Sequence, residues 1–145
     1  MTSHIRMQLL LVFALFACTV QSLRRVEDRK SLYLNGRVIC NGRPAEKVKV
    51  SIEGEGPSGR IEIAKLYTNE NGELPIYAYD NNETSIIPKV YFSHTCNYPR
   101  GCYKKFGIAI PDDFITSGNT PQHQYDIGTV DLAVYYPDTI ISCIP

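Results

Sequence analysis

The chain has 145 residues, of which 43% are hydrophobic and 21% are charged, and its 15 basic and 15 acidic residues leave no formal net charge. A neutral chain has no overall field to attract nucleic acid or an anionic membrane, so we expect no nucleic-acid partner. Five cysteines in so short a chain point instead to an exported, disulfide-bonded domain.

The first 22 residues have the layout of a secretory signal peptide. Arg6 supplies a positive charge, Met7–Val20 is an apolar run of 14 residues, and the small Ser22 precedes the expected cleavage point. A membrane-spanning helix needs about 20 apolar residues, so an uncleaved anchor is the weaker alternative. We expect a signal peptide over residues 1–22 and one secreted domain over residues 23–145, with 14 basic and 15 acidic residues and no integral membrane segment.

Four cysteines remain in the mature domain, and an even number in an exported chain predicts two disulfides. They are Cys40, Cys96, Cys102 and Cys143, which allow three pairings. The segment between Cys96 and Cys102 contains Pro and Gly and can turn, so Cys96–Cys102 with Cys40–Cys143 is the favoured pairing. A zinc site would need closer thiolate spacing and a reducing compartment, so we expect no metal and no cofactor.

Apolar residues recur at every second position over most of the mature region, which is typical of half-buried β-strands. Turn-forming residues separate these runs, and the Asn71-Gly72 step predicts a tight turn. The runs are centred on Leu34, Val50, Ile63, Ile76, Phe92, Ile108 and Leu132. The pattern predicts an all-β fold, an antiparallel sandwich of seven to eight strands.

The order of these features resembles the nematode transthyretin-like family of secreted proteins. The resemblance covers residues 31–143. Its matching segments are Gly36–Cys40, Arg43–Ala45, Thr68–Gly72, Pro88–Cys96, Ile110–Pro111, Asp126–Leu132 and Cys143. It implies a transthyretin-like (prealbumin-like) Greek-key β-sandwich of two four-stranded sheets, and extracellular action through binding.

The fold has an enzymatic relative, the hydroxyisourate hydrolases, which use His and Arg residues and a Tyr-Arg-Gly-Ser tail. This chain ends Ile141–Pro145, and His94 and His123 are the only histidines of its mature part. His94 follows Phe92 at period two, so we expect it to face the core as a neutral imidazole bonded to a backbone carbonyl. His123 lies in a loop and is expected to be exposed. We therefore expect no catalytic residue and no enzyme.

One short segment combines cations with aromatic rings. Tyr98, Arg100, Tyr103, Lys104 and Lys105 lie within eight residues, on a turn that a disulfide at its base would hold rigid. Tyrosines beside cations suit anionic lipid headgroups or an acidic protein patch. At about 1 kcal/mol per cation, three cations would support weak, salt-sensitive docking. These five residues are the predicted binding face, and an ordinary solvated hairpin is the alternative.

The expected function is extracellular binding. Asn82 begins an Asn-Glu-Thr sequon, which predicts a glycoprotein. We expect a secreted binding or adaptor protein that engages a cell-surface component, an anionic lipid or a receptor. The alternative is a carrier of a small apolar ligand, which in transthyretins needs the tetramer, so the oligomeric state discriminates between the two. A hydrolase is the weakest of the three hypotheses.

Overall fold

The structure, a computed structural model, describes residues 29–81, 84–98 and 101–143. The expected signal peptide, Asn82 and Arg100 lie outside these residues. The described part contains one 3-10 turn, Asp112–Phe114, and no helix long and apolar enough to cross a membrane. Its strands are β1 (Lys30–Cys40), β2 (Arg43–Pro44), β3 (Lys49–Gly56), β4 (Gly59–Tyr67), β5 (Ile76–Tyr79), β6 (Ser85–His94), β7 (Cys102–Ala109), β8 (Thr116–Ser117), β9 (Gln124–Asp131) and β10 (Ile140–Cys143).

The strands form two sheets packed as a sandwich. In the first sheet β1 is central: it pairs with β5 antiparallel and with β9 in parallel, and the short β2 and β8 also pair with it. The second sheet has the order β10-β7-β6-β3-β4 and is antiparallel throughout. The prediction of an all-β sandwich is confirmed. Each sheet has five strands where the resemblance implied four, because the two-residue β2 and β8 and the edge strand β10 add to the seven predicted runs, and one pair is parallel.

Alternation along the strands builds the core. Leu34 of β1, Val50 of β3 and Phe92 of β6 are fully buried, and each has a more exposed residue on at least one side in the sequence. Phe92 stacks on Phe106 of β7 with ring centroids 5.3 Å apart. Burying a side chain of this size stabilises a fold by about 1.5–3 kcal/mol. The period-two runs therefore mark the inward faces of both sheets.

The last two strands differ from the prediction. The run centred on Leu132 was expected to continue to Val134, but β9 ends at Asp131 and Val134 is 53% exposed. The outward residues of β9 are polar, and a register shift in its pairing with β1 interrupts the alternation. The edge strand β10 carries two adjacent exposed isoleucines, Ile140 and Ile141, which show no period-two pattern. These irregularities explain why the sequence placed the bounds of β9 wrongly and did not predict β10.

The predicted disulfide pairing is wrong, although all four cysteines are in disulfides. Cys40 pairs with Cys96 at a Cα–Cα distance of 6.0 Å, and Cys102 pairs with Cys143. Cys102 begins β7 and stands directly opposite Cys143 of β10, whereas Cys96 follows β6 beside the end of β1. Cys96 and Cys102 thus have different neighbours, although they are close in the sequence. The first bridge joins the two sheets and the second lies within one.

Candidate functional site

A wide cleft lies at the end of the sandwich that holds the Cys40–Cys96 bridge. We call it the end cleft. It has a volume of about 510 Å³ and is lined by residues 45–49, residues 93–96, Cys40, Tyr67, Tyr103 and Leu132. Small-molecule and partner-loop sites have volumes of about 300–1,000 Å³. The cleft is therefore large enough to hold a ligand or a protruding side chain of a partner.

His94 forms part of the floor and is 6% exposed. Its Nδ1 accepts a hydrogen bond from the backbone N–H of Cys96 at 3.2 Å, and its ring meets Phe106 edge-on. Burial, and secondarily the ammonium group of Lys104, lowers the pKa of His94 to about 4. The core-facing position is as predicted, but the hydrogen bond is to an N–H group and not to the expected carbonyl. His94 is thus neutral at physiological pH.

The wall of the cleft is held by Thr68. Its buried hydroxyl donates to the carbonyl of Ala45 at 2.6 Å and accepts from the N–H of Val48 at 3.0 Å. The N–H of Lys47 donates to the Thr68 carbonyl at 2.9 Å, and Lys47 has φ of 59°, a conformation that is uncommon for a residue other than glycine. One buried threonine therefore fixes the loop between β2 and β3.

Two tyrosines stand at the rim. Tyr67, the last residue of β4, is 61% exposed, and Tyr103 of β7 is 37% exposed. The register of the second sheet places Tyr67, Lys49 and Ser93 in one row across its outer face. Lys49 forms an ion pair with Glu62 at 2.5 Å, and that hydrogen bond raises the pKa of Lys49. The rim thus carries two aromatic rings, and the charge of Lys49 beside them is paired with Glu62.

Four of the five residues of the predicted binding face are described, and they do not all lie on one face of the sheet. Successive residues of a strand point to opposite sides, so Tyr103 and Lys105 lie on the outer face and Lys104 on the inner one. The Lys104 ammonium lies 4.8 Å from the centre of the Tyr98 ring. Lys105 pairs with the buried carboxylate of Glu53 and lies over a tyrosine ring of β6. Of the four that the structure describes, Tyr103 alone lines the end cleft.

Of the residues that the sequence singled out, the structure brings His94, Cys40, Cys96 and Tyr103 together in the end cleft, whereas Cys102 and Cys143 do not line it. The sequence analysis did not single out Tyr67, Lys47 or the hydrogen bonds of Thr68 as parts of a site. The signal for Tyr67 was weak, because an aromatic residue at a strand end is read as part of the alternating pattern. Nothing in the sequence links Thr68 to Ala45 and Val48, because these residues meet only when β3 pairs with β4 in the folded protein.

The cleft offers shape and aromatic contact more than reactive groups. Within the described residues, no acid and no nucleophile hydrogen-bonds to His94, whose Nδ1 is already an acceptor. No group of three His, Cys, Asp or Glu side chains there is arranged to hold a metal ion. The groups that do converge are two exposed phenol rings, a neutral imidazole and apolar Val48 and Leu132. This combination suits binding.

A family model and two relatives of known sequence agree on one family. A family model of the Transthyretin-like family matches residues 35–111. Transthyretin-like protein 5 of Caenorhabditis elegans is 33% identical over 141 residues, which is 95% of this chain and 99% of that protein. Transthyretin-like protein 2 of the same organism is 28% identical over 134 residues, 87% of this chain and 90% of that protein.

One solved structure, a 9R-lipoxygenase from Cyanothece, is similar over 74% of this chain and 18% of that chain, with 17% identity and a TM-score of 0.39. A similarity this low supports no inference about the fold or the function. The family model, the relatives and the sandwich agree with the resemblance found in the sequence: the chain belongs to the transthyretin-like family.

Proposed function

We propose that this protein is a secreted extracellular binding protein that holds a cell-surface protein in the end cleft. Family membership and two disulfides are compatible with an extracellular location. The observation that carries the proposal is the pair of exposed tyrosines, Tyr67 and Tyr103, on the rim of a concave site with an apolar floor. Tyrosine is among the residues that most often dominate binding energy, particularly beside a desolvated pocket.

A protein partner fits the charges better than an anionic lipid surface does. Lys105 is paired with Glu53, Lys49 with Glu62, and Lys47 with Glu46 at 3.4 Å. Paired lysines contribute little net potential, whereas docking to anionic lipid depends on unpaired cations near the surface. Each of these lysines thus contacts a carboxylate, although Glu53 and Glu62 also contact Arg60 and Lys65, and aromatic burial is the main source of affinity in this proposal.

The test measures binding of the oxidised, labelled protein to intact cells. We expect the double variant Tyr67→Ala with Tyr103→Ala to weaken binding about tenfold or more, as the loss of one or two interface hot spots would. Tyr79→Ala is the matched control, since Tyr79 is 52% exposed but lies on the other sheet. Circular dichroism establishes that each variant is folded.

Two further arms identify the class of partner. Protease treatment of the cells should abolish binding, and vesicles containing anionic lipid should bind no better than vesicles of neutral lipid. Unchanged binding by the double variant would overturn the assignment to the end cleft. Binding that survives protease treatment and follows anionic vesicles would overturn the protein partner in favour of lipid.

The second candidate is carriage of a small apolar ligand. The volume of the end cleft, about 510 Å³ within one chain, favours it because such a site would not need a tetramer. Half-buried Ser93 lines the cleft, so Ser93→Trp should fill it and block an apolar fluorescent probe. A native protein that binds no such probe is not a carrier through this cleft. Sedimentation shows whether the binding species is a monomer.

A further inference from the structure

We propose that the outer face of the first sheet binds the sugar rings of a neutral oligosaccharide. We call this surface the β1 groove and define it by Tyr33, Asn35, Arg37, Glu73, Tyr77 and Asp126. Two cavities, of about 480 Å³ and 330 Å³, lie along it and share Tyr33. The groove is on the sheet opposite Tyr67 and Tyr103, so the proposal does not rest on the end cleft.

The pairing of β1 with its two neighbours arranges the groove. Leu32, Leu34 and Val38 are buried in the core, so Tyr33, Asn35 and Arg37 point outward. Alternation places Asn35 and Arg37 on the same outer side, and the register shift lies in β9, which advances three residues from Asp126 to Thr129 while β1 advances two. Each has a partner beside it.

The partners across the sheet complete three rows. Tyr33 stands between Tyr77 of β5 and Gln124 of β9. Asn35 stands beside Asp126 of β9, and Arg37 stands opposite Glu73. The rows change from aromatic at Tyr33 to charged at Arg37. Strand residues rise about 3.3 Å each, so the distance between these two rows is about that of a short oligosaccharide.

The aromatic end provides exposed ring surface. Tyr77 is 43% exposed, and its ring lies 5.7 Å from that of Tyr79, centroid to centroid. The Tyr77 hydroxyl donates to the carbonyl of Asn119, which holds the loop before β9 against this face. Sugar rings have apolar C–H faces, and tyrosine offers a large apolar surface with a polar edge, so the two can pack face to face.

The polar end provides hydrogen-bonding groups in alternation. The side-chain oxygen of Asn35 is buried, and no donor among the described residues reaches it. Asp126 uses Oδ1 to accept from the N–H of Gly128, and Arg37 uses Nε to donate to the carbonyl of Asn71. The second carboxylate oxygen of Asp126 and the terminal amino groups of Arg37 are thus available. Vicinal hydroxyls, which both donate and accept, match such neighbouring groups.

The charges select a neutral sugar. Arg37 stands opposite Glu73, and Asp126 adds a further negative charge, so the groove has one cation against two carboxylates. A sulfated or sialylated chain would be repelled by this balance, as would an anionic lipid. The ligand whose chemistry fits is a neutral oligosaccharide with at least one exposed apolar ring face.

The test uses the full oxidised chain on an array of neutral, sialylated and sulfated oligosaccharides, followed by titration of the best ligand in solution. We expect neutral chains to bind and Tyr77→Ala to weaken binding about tenfold. Asp126→Asn should weaken it similarly while preserving the acceptor for the Gly128 N–H group, so the variant keeps its fold. Tyr135→Ala, at a residue that is 85% exposed elsewhere, should bind as the native protein does.

Three outcomes would overturn the proposal: no neutral oligosaccharide binds, only anionic chains bind, or binding is unaffected by both groove variants. The double variant Tyr67→Ala with Tyr103→Ala should retain sugar binding. If that variant loses cell binding but keeps sugar binding, the two sites act independently. Either proposal can then fail without the other.

Discussion

At the scale of single residues, the surroundings decide what a side chain can do. His94 has the one imidazole in the described core, and its burial and its neighbour Lys104 keep it neutral. Lys105 carries a charge that is neutralised by Glu53, which is 7% exposed although it lies on the outer face of its sheet. The sequence shows the residue types, but the free or paired state of each depends on contacts with distant segments.

His94 makes stability depend on pH. The unfolded chain binds a proton at His94 near pH 6.5, whereas the folded protein binds it only near pH 4. Between these values the unfolded state holds more protons, so this contribution to the free energy of unfolding is complete above pH 6.5 and is lost as pH falls towards 4. The loss should total about 2–3 kcal/mol. Urea denaturation across this range measures it.

A glutamine at this position supplies the comparison. His94→Gln offers a side-chain oxygen to the Cys96 N–H but does not titrate, so its stability should fall less steeply below pH 6.5 than that of the native protein. His123→Gln, at an exposed position, is the matched control for replacing a histidine by glutamine. Parallel profiles for His94→Gln and the native protein would contradict the assignment.

At the scale of elements, turns both reverse the chain and attach to neighbouring strands. The predicted turn at Asn71-Gly72 is confirmed: Gly72 has φ of 73°, and its N–H donates to the carbonyl of Asn69 at 2.9 Å. Its carbonyl in turn accepts from the N–H of Val38 at 2.8 Å, so the turn is docked on β1. The local signal predicted the turn but not this attachment.

Gly72→Ala should therefore be more damaging than an ordinary glycine substitution. A Cβ at Gly72 would lie 2.3 Å from the carbonyl oxygen of Val38, whereas a Cβ at Gly42, with nearly the same φ of 74°, meets nothing within 4 Å. We expect Gly42→Ala to lower the free energy of unfolding by about 1–2 kcal/mol and Gly72→Ala by about 3 kcal/mol or more. Chemical denaturation of both variants measures the difference. Equal losses of unfolding free energy would show that the backbone of β1 at Val38 moves enough to accommodate the added Cβ.

At the scale of the whole molecule, two disulfides with different placements support the sandwich. Cys40–Cys96 joins the sheets across a sequence separation of 56, and Cys102–Cys143 ties the edge strand β10 to β7 across 41. In the loop-entropy model each bridge stabilises by about 4 kcal/mol. Cys40 and Cys96 also pack against the core, whereas Cys143 is exposed. The bridge between the sheets thus stabilises the fold through core packing as well as through chain entropy.

Removing the bridges in turn should show that rank order. We expect Cys40→Ala with Cys96→Ala to lower the free energy of unfolding by about 4 kcal/mol or more, and by more than Cys102→Ala with Cys143→Ala. Urea denaturation of the two double variants tests this. An equal or reversed order would mean that packing at the inter-sheet bridge contributes nothing.

A tryptic map without reduction controls for the pairing in the starting material. Cleavage after Arg100 separates Cys96 from Cys102, so the pairing in the structure should yield the Cys40 peptide joined to the Cys96 peptide. Recovery of Cys96 joined to Cys102 would instead support the pairing favoured by the sequence.

The sequence by itself determined the fold class and the inward faces of most strands, because burial alternates with the pleat and is set locally in each strand. The family followed from the resemblance of particular segments, such as Gly36–Cys40 and Pro88–Cys96. The tertiary structure alone decided which cysteines pair and which lysines are neutralised. It also decided that Tyr67 and Tyr103, from strands that are not neighbours, stand over one cleft. The physical reason is the order of strands within a sheet: contacts between segments tens of residues apart follow from that order, and no local pattern of residues specifies it.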